Sequence, residues 1–171
     1  LLKMGAIHAP VSPMAKGMEL SYQLDDCGAR AIICFDQLLP VVREVREQTA
    51  LEYVFSTSLS ELCPAQPPIP VPDLLQAPKL PITDSIDLMP ALATTTPAPH
   101  NLPKLNLDDT AALNYTGGTT GLPKGCIHTH GDMLYTCASF VPVAMGFDEQ
   151  RIGLNFMPEF WIAGENSGLL F

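Results

Sequence analysis

Residues 115–125 read Tyr115, Thr116, Gly117, Gly118, Thr119, Thr120, Gly121, Leu122, Pro123, Lys124 and Gly125, and each residue type in this run has a chemical use. Glycines let the backbone turn successive N–H groups toward one point and let a polyphosphate approach without meeting a Cβ. Threonine hydroxyls add donors that follow phosphate oxygens, and the Lys124 ammonium adds a mobile positive charge. The run reads as a phosphate cradle whose binding residues are Thr116, Gly117, Gly118, Thr119, Thr120, Gly121, Lys124 and Gly125. A flexible hairpin loop that binds nothing is the plainer reading of any glycine-rich stretch, but hydroxyls and an ammonium in the same run favour the cradle. It is not a Walker loop, because Lys124 lies between Pro123 and Gly125 and strand residues, not a helix, follow it. Nor does the run contain the G-x-G-x-x-G of a dinucleotide site.

Such a loop needs stiff elements on both sides. Residues 111–115 and 126–129 read as strands, residues 131–145 as a helix that Pro142 ends or kinks, and residues 152–157 and 164–171 as one more strand and helix. Upstream, Leu1 to Gly5 reads as a last helical turn with a glycine stop. Met18, Leu20, Leu24 and Cys27 recur at helical intervals before Gly28, and residues 31–35 follow as a buried strand. Leu38, Val41, Val42 and Val45 stripe a second helix, and residues 53–55 have strand character. Strands alternating with helices predict an α/β fold with parallel-sheet layers and right-handed crossovers. The expected organisation is an α/β lobe over residues 1–62, a proline-rich irregular connection over 63–107, and over 108–171 the loop hairpin with its following helix, strand and helix. Prolines remove ladder donors and break helices, so the middle stretch is expected to be a surface excursion. Both ends are read as cut, making the whole one incomplete domain.

Composition excludes several classes. With 171 residues, 47% of them hydrophobic and 16% charged, the chain is built to bury a core. A net charge of −9 argues against a nucleic-acid surface, which needs clustered cations. A bound anion must then be met by loop N–H groups, a few placed cations or a metal ion. Five cysteines without a C-x-x-C pair give neither a disulfide framework nor a zinc ribbon, and reduced thiols in a cytoplasmic protein are the simpler expectation. No apolar run approaches the roughly 18 residues needed to span a bilayer. His128 and His130, two apart on an expected strand, share a face, yet no third ligand lies at a recognisable spacing, so no metal site is assigned. Cys126 receives no catalytic role.

The loop resembles the phosphate-binding loop of the AMP-forming acyl-CoA synthetase family, which includes luciferases and peptide-synthetase adenylation domains; Gly118 stands where that family usually has serine. The likeness extends to residues 3–6 with Pro10 and Pro13, to residues 20–35, and to residues 108–130 including His128, Thr129 and His130. Met157, Pro158, Glu159, Phe160, Trp161, Ile162, Ala163 and Gly164 are similar to the family segment lining the acyl pocket. Nearly all of the chain outside the proline-rich stretch has a counterpart. Trp161 stands where many relatives have histidine, and reads either as a gate on the acyl tunnel or as a core aromatic.

The resemblance implies part of the large N-terminal domain of an adenylate-forming enzyme. Its co-substrates are ATP with Mg2+, a fatty or aryl carboxylic acid, and coenzyme A. Lys124 and Thr120 are the implied catalytic residues, acting on the departing pyrophosphate, and Phe160, Trp161 and Gly164 the implied pocket residues. The downstream nucleotide motif, ribose aspartate and lid lysine of that family are not found in these residues, so the chain alone is not expected to turn over. Exposed apolar surface where such parts dock would favour self-association, including a homo-oligomer. A peptide-synthetase adenylation domain, a non-catalytic phosphate-binding module and an unrelated α/β structural protein remain as alternatives.

Overall fold

The computed structural model describes residues 1–97, 102–117, 121–139 and 155–168. Its chain divides into two units, Pro13–Pro97 and a second made of Leu1–Ser12 with Ala98–Phe171.

In the first unit, helix α1 (Gly17–Asp26) buries Leu20, Gln23 and Leu24. Met18, expected on this stripe, is 84% exposed, because two residues before Leu20 it lies about 160° around the helix from the face of Leu20, Gln23 and Leu24. The helix ends in paired reversals, Gly28 N–H to the Asp25 carbonyl at 3.0 Å and Ala29 N–H to the Leu24 carbonyl at 2.9 Å. Gly28 adopts φ 59°, the left-handed conformation that this kind of helix ending requires. Strand β1 (Ala31–Phe35) follows, and helix α2 (Leu39–Arg46) buries Leu39, Val42 and Val45. Leu39 replaces the expected Leu38 because a 3-10 turn over Asp36–Leu38 precedes the helix and changes its phase.

Strand β2 (Tyr53–Thr57) pairs in parallel with β1, Ala31 opposite Tyr53 through Phe35 opposite Thr57. The α/β, parallel-sheet expectation therefore holds. The buried character assigned to β1 does not: Ile33 is 52% and its diagonal neighbour Tyr53 51% exposed, while Val54 and Ser56, on the opposite parity, are buried. Alternation puts successive residues on opposite faces, and the face of Ile33 and Tyr53 is left open at that end of the strand pair, while Thr57 of the same parity is buried.

The proline-rich stretch is less irregular than its composition suggests. It carries short helix α3 (Asp73–Gln76), strand β3 (Ile86–Asp87) and helix α4 (Leu88–Thr94), and β3 adds to β2 as a third parallel strand. Side chains hold it there, with Ser85 Oγ 2.8 Å from Ser56 Oγ and Lys79 Nζ donating to Asp87 and Glu61. Asp36, 2% exposed, accepts from Gln37 N–H and, 44 residues on, from Leu80 N–H, both at 2.8 Å.

The second unit is built on an antiparallel pair, β4 (Thr110–Tyr115) and β5 (Gly125–Thr129). On the other edge of β4, His8 makes a parallel bridge to Ala112, accepting from Leu113 N–H at 2.9 Å and donating to the Ala111 carbonyl at 3.1 Å. Ala111 and Ala112 are wholly buried and form a small core with Met133 and Leu2. Helix α5 (His130–Ser139) opens on a reciprocal cap in which Asp132 N–H donates to Thr129 Oγ1 at 3.1 Å and Thr129 N–H to Asp132 Oδ2 at 2.8 Å. His130 thus begins a helix, so it and His128 do not share a strand face. Helix α6 (Ile162–Gly168) closes the described chain. Residues 155–157, expected to end a strand, have no regular structure, and the expected stretches over residues 140–154 and 169–171 lie outside the described residues.

Candidate functional site

The glycine-rich loop leaves β4 and returns into β5. The ladder ends at Tyr115 opposite Gly125. Beyond it, Thr116 N–H donates to the Lys124 carbonyl at 3.0 Å, and Thr116 Oγ1 lies 3.5 Å from the same oxygen. The neck of the loop is therefore cinched by backbone bonding, and the Thr116 amide is committed to the protein. Gly125 is tightly fitted, since a Cβ there would stand 3.2 Å from the Tyr115 ring, which would have to shift by a few tenths of an ångström. Gly117 is the reverse case, with no atom of the described residues within 4 Å of where a Cβ would stand. Gly121 has φ 132°, within the region that favours glycine. Lys124 and Leu122 are exposed, which leaves the Lys124 ammonium on the surface beside the neck. Gly118, Thr119 and Thr120 lie outside the described residues.

The expected pocket residues are brought together on one turn. Phe160 and Trp161 meet edge to face, ring centroids 5.6 Å apart, and Trp161 is 57% exposed, so it is not the core aromatic that one reading allowed. Gly164 is buried, and a Cβ on it would collide with the Pro158 carbonyl and stand 2.8 Å from that of Met157. The turn is closed by Trp161 N–H donating to the Pro158 carbonyl at 3.1 Å and Glu165 N–H to the Trp161 carbonyl at 2.9 Å.

Next to Gly164 stands a group that the sequence reading missed. Glu165 is 1% exposed; one carboxylate oxygen accepts from His8 Nε2 and the other from Asn114 Nδ2, the latter at 2.9 Å. His8 Nδ1 reaches the Ala111 carbonyl at 3.1 Å. Burial pushes the Glu165 carboxyl upward, but the hydrogen bonds from His8 and Asn114 and the charge of His8 outweigh it and hold the group below its ordinary range. The one available signal was Asn114, a polar residue at the same strand parity as the buried Ala112.

Two of the thiols are shifted away from nucleophilic character. Burial, reinforced by the Asp36 carboxylate, pushes the Cys34 thiol up to about 11, and burial also raises Cys137. Among the described residues no three His, Cys, Asp or Glu side chains gather as a metal site. No described helix is long and apolar enough to cross a membrane.

Comparison with known proteins gives a consistent result. The family model described as AMP-binding enzyme matches residues 1–171. A long-chain-fatty-acid–CoA ligase of Escherichia coli O6:H1 is 32% identical over 139 residues, covering 78% of this chain and 25% of that protein. A crystal structure of the anthranilate CoA ligase AuaEII in complex with anthranoyl-AMP superposes with a TM-score of 0.63 at 25% identity, over 82% of this chain and 23% of that one. ATP-bound MatB from Rhodopseudomonas palustris superposes at 0.69 with 19% identity, over 95% and 27%, a likeness of fold. The chain spans about a quarter of the length of the ligase relatives it matches.

Proposed function

Since the chain belongs to the AMP-binding enzyme family, we propose that it forms part of an ATP-dependent acyl-CoA or aryl-CoA ligase. In the reaction a substrate carboxylate oxygen attacks the α-phosphorus of ATP and pyrophosphate departs. The thiol of coenzyme A then attacks the acyl carbon and AMP departs. A carboxylate is a poor electrophile, and adenylation supplies the leaving group that the thiol step needs.

Charge gathers on pyrophosphate as it leaves, so the residues assigned to the loop act by positioning and electrostatic stabilisation. Lys124 and Thr120 act on the departing phosphates. Thr116, Gly117, Gly118, Thr119, Gly121 and Gly125 shape the cradle, Thr116 by cinching its neck. Mg2+ would come with the nucleotide, held chiefly by phosphate oxygens, as that ion ordinarily is. Phe160, Trp161 and Gly164 line the acid pocket, with the exposed indole of Trp161 as its gate. A fatty or aryl acid is the substrate class, in keeping with relatives named for long-chain fatty acids and anthranilate. A cytoplasmic location accords with five free cysteines, and self-association through uncovered apolar faces belongs to the same proposal.

The observation that carries this reading is the cinched loop with an exposed Lys124 at its neck. In the intact protein, Lys124→Ala is expected to remove one charge-assisted hydrogen bond of about 1.5–3 kcal/mol, slowing acid-dependent ATP–pyrophosphate exchange about 10- to 150-fold. Exchange within about twofold of the parent would rule out the role given to Lys124.

A further inference from the structure

Three residues far apart in sequence meet in the buried interior of the loop-bearing unit. His8 comes from the segment bridged to β4, Asn114 from β4 itself two residues before Thr116, and Glu165 from α6 one residue after Gly164. Glu165 bonds to both of the others across 157 and 51 residues.

A purely structural contact would be cheaper in apolar side chains, because burying a carboxylate is costly and pays off in stability only with full satisfaction. This cluster is not fully satisfied: Asn114, 8% exposed, gives its amide N–H to Glu165, and its own buried Oδ1 has no partner among the described residues. Turning the amide over would not help, since an amide oxygen cannot donate to a carboxylate. Directional bonding has been kept where packing alone would hold the elements more cheaply, and direction is what positioning needs. The direction of one bond in the chain is also fixed by its partner. The Ala111 carbonyl can only accept, so the bond from His8 Nδ1 to it is a donated one.

The elements that these bonds join are the two halves of the proposed reaction centre. Asn114 lies on the strand that launches the loop cradling phosphate, and Glu165 on the turn that carries Phe160, Trp161 and Gly164. We infer that the His8, Glu165 and Asn114 chain is a positioning strut that sets the acid-binding turn against the phosphate loop, so that substrate carboxylate and α-phosphorus come into attacking distance. This rests on the ligase reading for its catalytic meaning. The mechanical coupling itself does not.

The experiment therefore has two arms on the intact protein. Amide hydrogen exchange is followed at residues 115–117 and 161–165 in Glu165→Ala, Glu165→Gln and His8→Gln. Glu165→Ala is expected to accelerate both segments about tenfold or more, His8→Gln to do so in part, and Glu165→Gln, which can accept from Asn114 and donate to His8, to stay near the parent. Loosening confined to residues 161–165, in Glu165→Ala or, if that variant does not fold, in His8→Gln, overturns the strut. Acid-dependent ATP–pyrophosphate exchange forms the second arm. A displacement of about 1 Å should cost kcat up to about a hundredfold while KM for ATP moves less than threefold, with Glu165→Gln restoring most of kcat. A loss seen only in KM for ATP overturns the catalytic assignment. If the parent shows no acid-dependent exchange, the ligase reading fails and the exchange of backbone amides still decides the strut.

Discussion

The two units of the chain treat their buried polar groups differently. In the unit over Pro13–Pro97, Asp36 satisfies two backbone N–H groups, Ser56 meets Ser85, and Lys79 meets two carboxylates. Among the described residues, the buried side-chain atoms left without a partner, Asn114 Oδ1 and His130 Nε2, both lie in the other unit. That second unit also carries the glycine pressed against backbone, Gly164, and the cinched loop with its exposed lysine. Closed polar networks make a scaffold, since an unmet buried donor or acceptor costs about 1–3 kcal/mol. Unmet ones at both ends of the hairpin that carries the glycine-rich loop, Asn114 near the loop neck and His130 at the opposite end, mark the part of the fold that has a use besides stability.

The largest effect that would test this contrast is expected at Gly164. A Cβ has nowhere to go there except into the Pro158 carbonyl, and both the Met157 and Pro158 carbonyls belong to the same tight turn. Backbone must move, so Gly164→Ala is expected to lose about 3 kcal/mol of stability in the loop-bearing unit. Denaturant unfolding, read beside amide exchange in residues 161–165, measures it. A loss below about 0.5 kcal/mol would mean that the turn yields easily and that the second unit is not tightly built around its pocket segment.

A middle-sized effect is expected from opening the scaffold's network. Asp36→Ala removes the acceptor of both Gln37 N–H and Leu80 N–H and leaves the first unit with part-buried donors that have lost their partner. About 1–3 kcal/mol should be lost on urea unfolding, and the Leu80 amide should exchange faster. Asp36→Asn keeps one acceptor oxygen and should lose less. If Asp36→Ala unfolds at the parent's midpoint, closure of that network is incidental and the contrast between units collapses.

How much of this was readable in the residues follows from how far apart the causes lie. The ending of α1 at Gly28 is local, a left-handed position six residues or fewer from every atom it bonds, and the letters around it carry the signal. Leu20 with Leu24, and Val42 with Val45, likewise repeat within one turn. The loop is legible because its chemistry is packed into consecutive residues. Strand β3 is not, because two residues among prolines have no period of their own and are held by Ser56 and Lys79 from elsewhere in the chain. Exposure of Ile33 could not be read either: an apolar strand gives no sign of which face its neighbours leave open. Glu165 sits among small polar residues on a short helix with no cation at helical spacing, and the partners that explain it are found only in three dimensions.

The smallest expected effect concerns the Lys79 network and its response to pH. Lys79 Nζ lies 2.8 Å from Glu61 and 2.6 Å from Asp87. The Lys79 ammonium, helped by the Ser58 amide, holds the Glu61 carboxyl below its ordinary range against the upward push of burial. Lys79 itself is lowered by desolvation, but the two carboxylates more than reverse this and leave it raised. Glu61 therefore contributes stability that is present above the unfolded value of about 4.3 and is lost as pH falls through its lower folded value. Lys79 contributes stability that is complete below about 10.4 and lost only as pH rises through its higher folded value. The parent should show a plateau across neutral pH, and Lys79→Met should lie below it by about 1 kcal/mol or less, because these side chains remain partly solvated. The two melting curves should converge toward pH 2–3, where protonated Glu61 no longer gains from the ammonium. A gap that stays constant down to that pH would show that Lys79 acts through packing of its aliphatic stem, and that strand β3 is held in the scaffold without help from charge.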